Sequence, residues 1–174
     1  MPHLRLIDPE DAEGLLAEEY AAAVERLVER ASIFALSADL ITGFPGERDD
    51  DHAMTVALVC ALPFTSLHVF PYSERPGTAA MRLSDPVAPH LARERAAELR
   101  ALAAAKVEAH RRSRVGGEAD VVVVRQGATA RGLTEDYLDV SLGAGAPPRA
   151  ERFRATLAAR GGELRAEALE PAAR

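Results

Sequence analysis

Two segments of this chain end an apolar run in a Gly/Pro turn that carries polar side chains: Asp39-Leu-Ile-Thr-Gly-Phe-Pro-Gly-Glu47 and Leu67-His-Val-Phe-Pro-Tyr-Ser-Glu-Arg-Pro-Gly-Thr-Ala-Ala80. A buried parallel strand delivers a loop to a binding crevice in this way, and ligands meet α/β folds at such strand exits. In the turn of Gly43, Phe44, Pro45 and Gly46, glycine permits positive φ and lets a ligand approach backbone amides closely. The turn has neither the Gly-Lys-Ser/Thr ending of a phosphate loop nor G-x-G-x-x-G spacing. An ordinary strand-to-helix turn, with Glu47 favoured by the dipole of the next helix, is the simpler account of the same residues. His68, inside an apolar run, reads first as a hydrogen-bonded core histidine and second as a ligand or base. Tyr72, Ser73 and Arg75, at the strand exit, are better placed for binding. Cys60 falls on an apolar helical face and is expected to pack rather than act as a nucleophile. Asp49, Asp50 and Asp51 point in different directions on a helix, which marks a solvated first turn more than a metal site. No Ser/His/Asp spacing, HExxH pair or CxxC pair occurs.

The chain that must position these groups has 174 residues, a net charge of -6, one cysteine and no tryptophan. That length makes one ordinary domain, or a partial domain plus a small module. A single cysteine excludes an internal disulfide framework and any cysteine-rich cluster built by this chain alone, and fits a reducing cytoplasm. The start, Met1-Pro-His-Leu-Arg-Leu, lacks the organisation of a signal peptide, and no apolar run approaches the ~20 residues that span a bilayer. The expectation is a cytoplasmic protein with no membrane association. The negative total conceals a basic stretch: Arg93, Arg95, Arg100, Lys106, Arg111, Arg112 and Arg114 follow one another after Pro89, opposed by Glu94, Glu98 and Glu108. That stretch is either a solvated helix face or a patch for an anionic partner.

Apolar residues at three- and four-residue spacing predict an amphipathic helix over residues 11–30, through Leu15, Leu16, Tyr20, Val24, Leu27 and Val28. A strand over 33–42, a helix over 49–62, a strand over 64–72 and a long helix from about 85 to 112, broken near Pro89, follow. This alternation is the pattern of right-handed parallel βαβ units. Two parallel strands do not complete a sheet, because both faces and both neighbours need cover, so the front of the chain reads as part of a larger barrel. After Gly116-Gly117 the pattern turns to short strands over 119–125, 137–142, 152–159 and 163–169, the last two a hairpin around Gly161-Gly162. The expected fold is α/β: a partial (βα) barrel over residues 1–110, then a small antiparallel β-barrel over 111–174.

Three segments in order, the two quoted above and Gly132-Leu-Thr-Glu-Asp-Tyr-Leu-Asp-Val140, resemble the radical S-adenosylmethionine methylthiotransferases of tRNA. The resemblance runs from about residue 17 to the C-terminus, and the His-Val-Phe-Pro-Tyr-Ser wording is most similar to the branch acting on N6-threonylcarbamoyladenosine beside the anticodon. It implies that the front part is the end of a radical S-adenosylmethionine barrel. The cofactor would lie around Gly43, Phe44, Pro45, Gly46, Glu47, His68, Val69, Phe70 and Tyr72. The rest would be a TRAM-like, OB-like barrel that grips the tRNA anticodon stem-loop through Arg111, Arg112, Arg114, Arg125 and Arg131. The family binds 4Fe-4S clusters through cysteines of an N-terminal domain and a C-x-x-x-C-x-x-C triplet. Those ligands are absent here, and Arg5-Leu-Ile-Asp-Pro-Glu-Asp11 stands where a Gln-Ser-Gly loop is expected. No residue is therefore assigned as catalytic or as a metal ligand, and the chain alone is expected to be inactive. The chain is then a truncated product, a piece whose natural start lies upstream, or one half of a split enzyme whose partner polypeptide supplies the clusters. The alternative is a non-catalytic RNA-binding protein derived from that family.

Overall fold

The computed structural model describes residues 9–30, 33–143 and 147–168. Expectations that fall on residues 1–8, on 144–146 or on Leu169 lie outside the described residues. The element order is α1 (Pro9–Val28), β1 (Ser37–Thr42), α2 (Asp49–Ala61), β2 (Ser66–Pro71), a 3-10 turn (Ala79–Arg82), α3 (Pro89–Ser113), and five strands, β3 (Glu118–Arg125), β4 (Arg131–Thr134), β5 (Asp139–Leu142), β6 (Arg152–Arg160) and β7 (Glu163–Ala168). The chain forms two compact units. One takes residues 39–63 and 69–102 together with the N-terminal helix, and the other takes 33–38, 64–68 and 103 onward.

In the first unit the βα pattern is present but two boundaries move. Residues 33–36 are not strand, so β1 is shorter than the apolar run. The long helix begins at Pro89, a residue suited to the first helical turn because its missing N–H would be unsatisfied there. β1 and β2 are hydrogen-bonded neighbours, with Tyr72 N donating to Thr42 O at 2.7 Å at one end and Thr65 N donating to Leu36 O at 2.9 Å at the other. Equivalent ends therefore meet, and the strands run parallel, as a helical crossover requires. Burial alternates: Thr42, Leu67 and Val69 are buried while Asp39, Ile41 and Phe70 are exposed. Among the described residues one face of the β1–β2 sheet is thus exposed, where parallel sheets are ordinarily covered on both sides. Val24, Val59, Leu62, Ala92, Ala96 and Leu99 are further buried apolar residues of the first unit. In α1 the carboxylates of Glu18, Glu19 and Glu25 face outward as the spacing predicts, but Leu27 and Val28 are exposed too.

In the second unit β3–β7 close into a barrel in the order β3-β4-β5-β7-β6. Ala119, Val121 and Val123 alternate inward from β3 and join Leu138, Val140, Phe153, Ala155, Leu157, Leu164 and Ala166 in one continuous core. Each fully buried Val or Leu is worth roughly 2 kcal/mol. The expected purely antiparallel barrel needs correction: β5 and β7 pair parallel, Ser141 beside Arg165 and Leu142 beside Ala166. A closed ring of five strands cannot alternate direction at every seam, so one pair must run parallel. β4 escaped the sequence pattern because it is four residues long and Gly132 occupies an inward position. A Cβ there would lie 2.4 Å from Val121 Cγ1, so only glycine lets β4 approach β3 this closely.

Candidate functional site

The turn after β1 is held from within. Gly43 and Gly46 adopt φ of +74° and +90°, in the left-handed region that favours glycine. Gly43 also has no room for a side chain, since a Cβ would meet the Ala92 Cβ of α3 at 2.4 Å. Thr42 Oγ1, buried, donates to Ala92 O at 3.2 Å and fastens the end of β1 to the same helix turn. Glu47 folds back so that its carboxylate accepts the Gly43 N–H, while Glu47 N donates to Phe44 O at 2.9 Å. The same carboxylate lies 3.3 Å from Arg95 Nη1, and Arg95 also reaches Glu47 O at 3.2 Å and Asp49 Oδ1 at 2.6 Å. Arg95 is buried on the α3 face that carries Ala92, Ala96 and Leu99, so its charge is tolerable only because these oxygens surround it. Arg95 reads from the sequence only as one of the cations of a basic helix, so sequence reasoning missed this brace. His52 Nε2 sits 2.8 Å from Glu98 Oε2 and Nδ1 3.9 Å from Glu47 Oε1, which extends the network across α2 and α3.

The braced turn presents Phe44, whose ring meets Tyr72 edge-on with centroids 5.2 Å apart. Phe44, Phe70, Tyr72, Ser73 and Arg75 line a groove of about 570 Å³, together with Asp39 and Ile41 from the open sheet face. Gly43, Pro45 and Tyr72 line a neighbouring recess of about 420 Å³. The Tyr72 hydroxyl is buried and finds no hydrogen-bond partner among the described residues, a polar atom left for a ligand to satisfy. Of the residues expected at the cofactor, Glu47 and Gly46 act as scaffold. Val69 turns its side chain to the buried face, and its carbonyl accepts from Arg100 Nη2 at 2.9 Å.

Three expectations need correction. His68 is exposed, not a core histidine, because the period of two in β2 sends Leu67 and Val69 inward and His68 outward. It belongs to the second unit and lines a recess of about 440 Å³ with His110, Asp136 and Tyr137. Cys60 is exposed near the end of α2, where only Val59 is fully covered. Asp49 and Asp51 are not merely solvated: one pairs with Arg95 and the other accepts from Arg48 N at 2.6 Å, capping α2.

Of the five arginines expected at RNA, Arg114 is buried and committed elsewhere. Its Nε lies 2.8 Å from Asp136 Oδ2, and Nη2 is 3.0 Å from Glu135 Oε1 and 3.1 Å from Glu118 O. Asp136, with a fully covered side chain, also takes His110 Nε2 at 2.9 Å and the Thr134 hydroxyl at 2.6 Å. Together these bonds tie the last turn of α3 to the β4–β5 turn. Arg131 bridges Asp139 and Glu163, each at 2.9 Å. The Asp139 hydrogen bond, opposed by some desolvation and helped by Glu163, raises its pKa above the ordinary arginine value. Arg125 donates to Thr129 O at 2.9 Å and is exposed, as is Arg112, while Arg111 is half-buried beside it in the last turn of α3. Arg152 and Arg154 cross from β6 to Asp120 and Glu118 of β3.

Among the described residues no group of histidine, cysteine or acidic side chains could hold a metal ion, and no helix is long and apolar enough to cross a membrane. No protein-family model matches the chain. It is 32% identical over 127 residues to the threonylcarbamoyladenosine tRNA methylthiotransferase MtaB of Aquifex aeolicus, covering 73% of this chain and 30% of that protein. It is 42% identical over 105 residues to the tRNA-2-methylthio-N(6)-dimethylallyladenosine synthase of Sorangium cellulosum, covering 60% of this chain and 21% of the relative. The synthase of the same name from Zymomonas mobilis is 35% identical over 114 residues, covering 66% and 26%. The chain thus spans less than a third of the curated relatives it matches, and these are named for two different adenosines. Its homologues are tRNA methylthiotransferases, and the likeness is to that group rather than to one branch of it.

Proposed function

We propose that this chain is the C-terminal portion of a tRNA methylthiotransferase, combining the end of a radical S-adenosylmethionine barrel with a TRAM-like RNA-binding barrel. Its substrate would be N6-threonylcarbamoyladenosine beside the anticodon. The observation that carries the proposal is the braced turn at residues 43–47, which costs a buried Glu47–Arg95 pair and two left-handed glycines and yields an aromatic groove with an orphaned tyrosine hydroxyl. A turn fixed by left-handed glycines and a largely buried ion pair gives a ligand a rigid wall.

The residues fit an adenosyl ligand. Phe44, Phe70 and Tyr72 offer ring faces and edges, the Tyr72 hydroxyl a hydrogen bond, and the 43–47 turn a close backbone approach. S-adenosylmethionine, when bound, supplies the sulfonium chemistry from which a methylthio transfer draws its methyl group. This chain's residues do not fit an iron–sulfur cluster, because Cys60 is the one cysteine in the sequence and no further thiolates are present to hold four irons. Thiolates from a further segment of a longer protein, or from a separate polypeptide, would complete the enzyme in a cytoplasmic setting.

Calorimetric titration of the full chain with S-adenosylmethionine is expected to show saturable binding that Tyr72→Ala and Phe44→Ala weaken. Absence of binding by a folded chain would remove the cofactor part. On the RNA side, Arg111→Ala with Arg112→Ala is expected to weaken binding to an anticodon stem-loop and to reduce its salt slope by about one for each phosphate no longer neutralised. A second reading, a non-catalytic RNA-binding protein, is favoured by the single cysteine of the sequence, which cannot hold a cluster by itself, and binding of RNA without S-adenosylmethionine would select it.

A further inference from the structure

We propose that Tyr137, with the recess beside it in the second unit, is a stacking site for one unpaired base of an RNA; the inference rests on the RNA-binding reading above. Tyr137 is 75% exposed, the most exposed large apolar side chain among the described residues. Its φ of +61° places it in the left-handed region, a conformation that disfavours a bulky residue and is usually given to glycine or asparagine at a tight turn. Nothing in the packing rewards tyrosine here. Its ring meets no other ring and its hydroxyl makes no hydrogen bond among the described residues.

The turn beneath the ring is nevertheless among the most firmly held parts of the unit. Tyr137 N donates to Thr134 O at 3.0 Å, Leu138 N to Thr134 Oγ1 at 2.9 Å, and Thr134 N to Leu138 O at 3.0 Å. The preceding residue is Asp136, buried and fixed by Thr134, His110 and Arg114. A rigid base under an exposed ring is what a binding platform needs, because little conformational freedom remains to be lost when a partner stacks on it.

The ring borders the recess of about 440 Å³ whose polar walls are Ser37, Thr65, Ser66, His68, His110 and Asp136, the last already paired with Arg114. Hydroxyls and imidazoles both donate and accept, so they can meet the mixed edge of a base that has left its helix, while the ring covers its face. Arg111 and Arg112 follow His110 in the last turn of α3 and bring cations within one helical turn of the recess wall, as a phosphate on either side of the base requires. Exposure, fixed geometry, a polar recess and adjoining cations together favour a nucleotide over an apolar peptide.

The test uses the full chain and an RNA hairpin whose single-stranded loop carries 2-aminopurine in place of adenine. Stacking quenches that fluorophore, and binding is followed separately by anisotropy at several salt concentrations. Wild type is expected to quench. Tyr137→Gly, which suits the left-handed φ and should leave thermal unfolding unchanged, is expected to weaken binding about tenfold and abolish the quench. Its salt slope should persist, since the cations that face phosphate remain. Tyr137→Phe keeps the ring and should behave as wild type. Unaltered affinity and quench in Tyr137→Gly, or failure of Tyr137→Phe, overturns the stacking site. Salt-dependent binding by wild type without any quench sinks the stacking site and spares the RNA reading, whereas no binding at low salt removes both.

Discussion

The barrel and the βα unit treat their strand edges in opposite ways. In the barrel every strand has two neighbours, ten apolar side chains share one core, and cross-strand ion pairs such as Arg131 with Asp139 and Glu163 line the outside. In the βα unit two parallel strands pair only with each other among the described residues, and Asp39, Ile41 and Phe70 are exposed. The barrel is thus complete as a fold, whereas the βα unit spends its few buried polar bonds on shaping one turn. A closed sheet secures stability and leaves function to its surface; an open one retains a face on which a ligand or further chain can lie.

The comparison is broken most directly at the barrel's buried carboxylate. Asp136→Ala leaves Arg114 and His110 without their shared acceptor and should cost about 3 kcal/mol, read as a lowered midpoint in denaturant. A loss near zero would mean that the charged cluster does not hold the barrel. Gly132→Ala forces a methyl against Val121 Cγ1 and should cost about 2 kcal/mol by the same measurement, with no change in S-adenosylmethionine binding. Glu47→Ala removes the acceptor of the Gly43 N–H and one partner of Arg95. It should cost about 1–2 kcal/mol and, unlike the barrel variants, abolish calorimetric binding of S-adenosylmethionine. Ile41→Ser and Phe70→Ser, on the open face, should change stability by less than about 0.5 kcal/mol in thermal melts. A large loss there would show that the face is covered in solution.

Much of the barrel was legible because its signals are local. The β-branched run Val121–Val124 marks β3, and Gly161-Gly162 separates β6 from β7, so composition predicts the strand and turn residues predict the hairpin directly. β4 and the parallel seam between β5 and β7 were not legible, since one is too short for a period and the other joins residues distant in sequence. The candidate groove was partly legible: the two Gly/Pro turns pointed to it, and Phe44, Phe70, Tyr72, Ser73 and Arg75 do line it. Its brace was not, because Arg95 reads like any other arginine of a basic helix until the fold surrounds it with Glu47 and Asp49.

Residue order by itself determined the βα alternation, the later change to short strands, the two glycine turns and the likeness to tRNA methylthiotransferases, all properties carried within a few turns of chain. Tertiary structure alone decided which charges are spent. Arg114 disappears against Asp136, Arg112 remains in solvent, His68 points outward, and Tyr137 stands clear of the barrel. The physical reason is that a side chain's chemistry depends on its solvation and on partners brought from far along the chain, and neither is written in its neighbours.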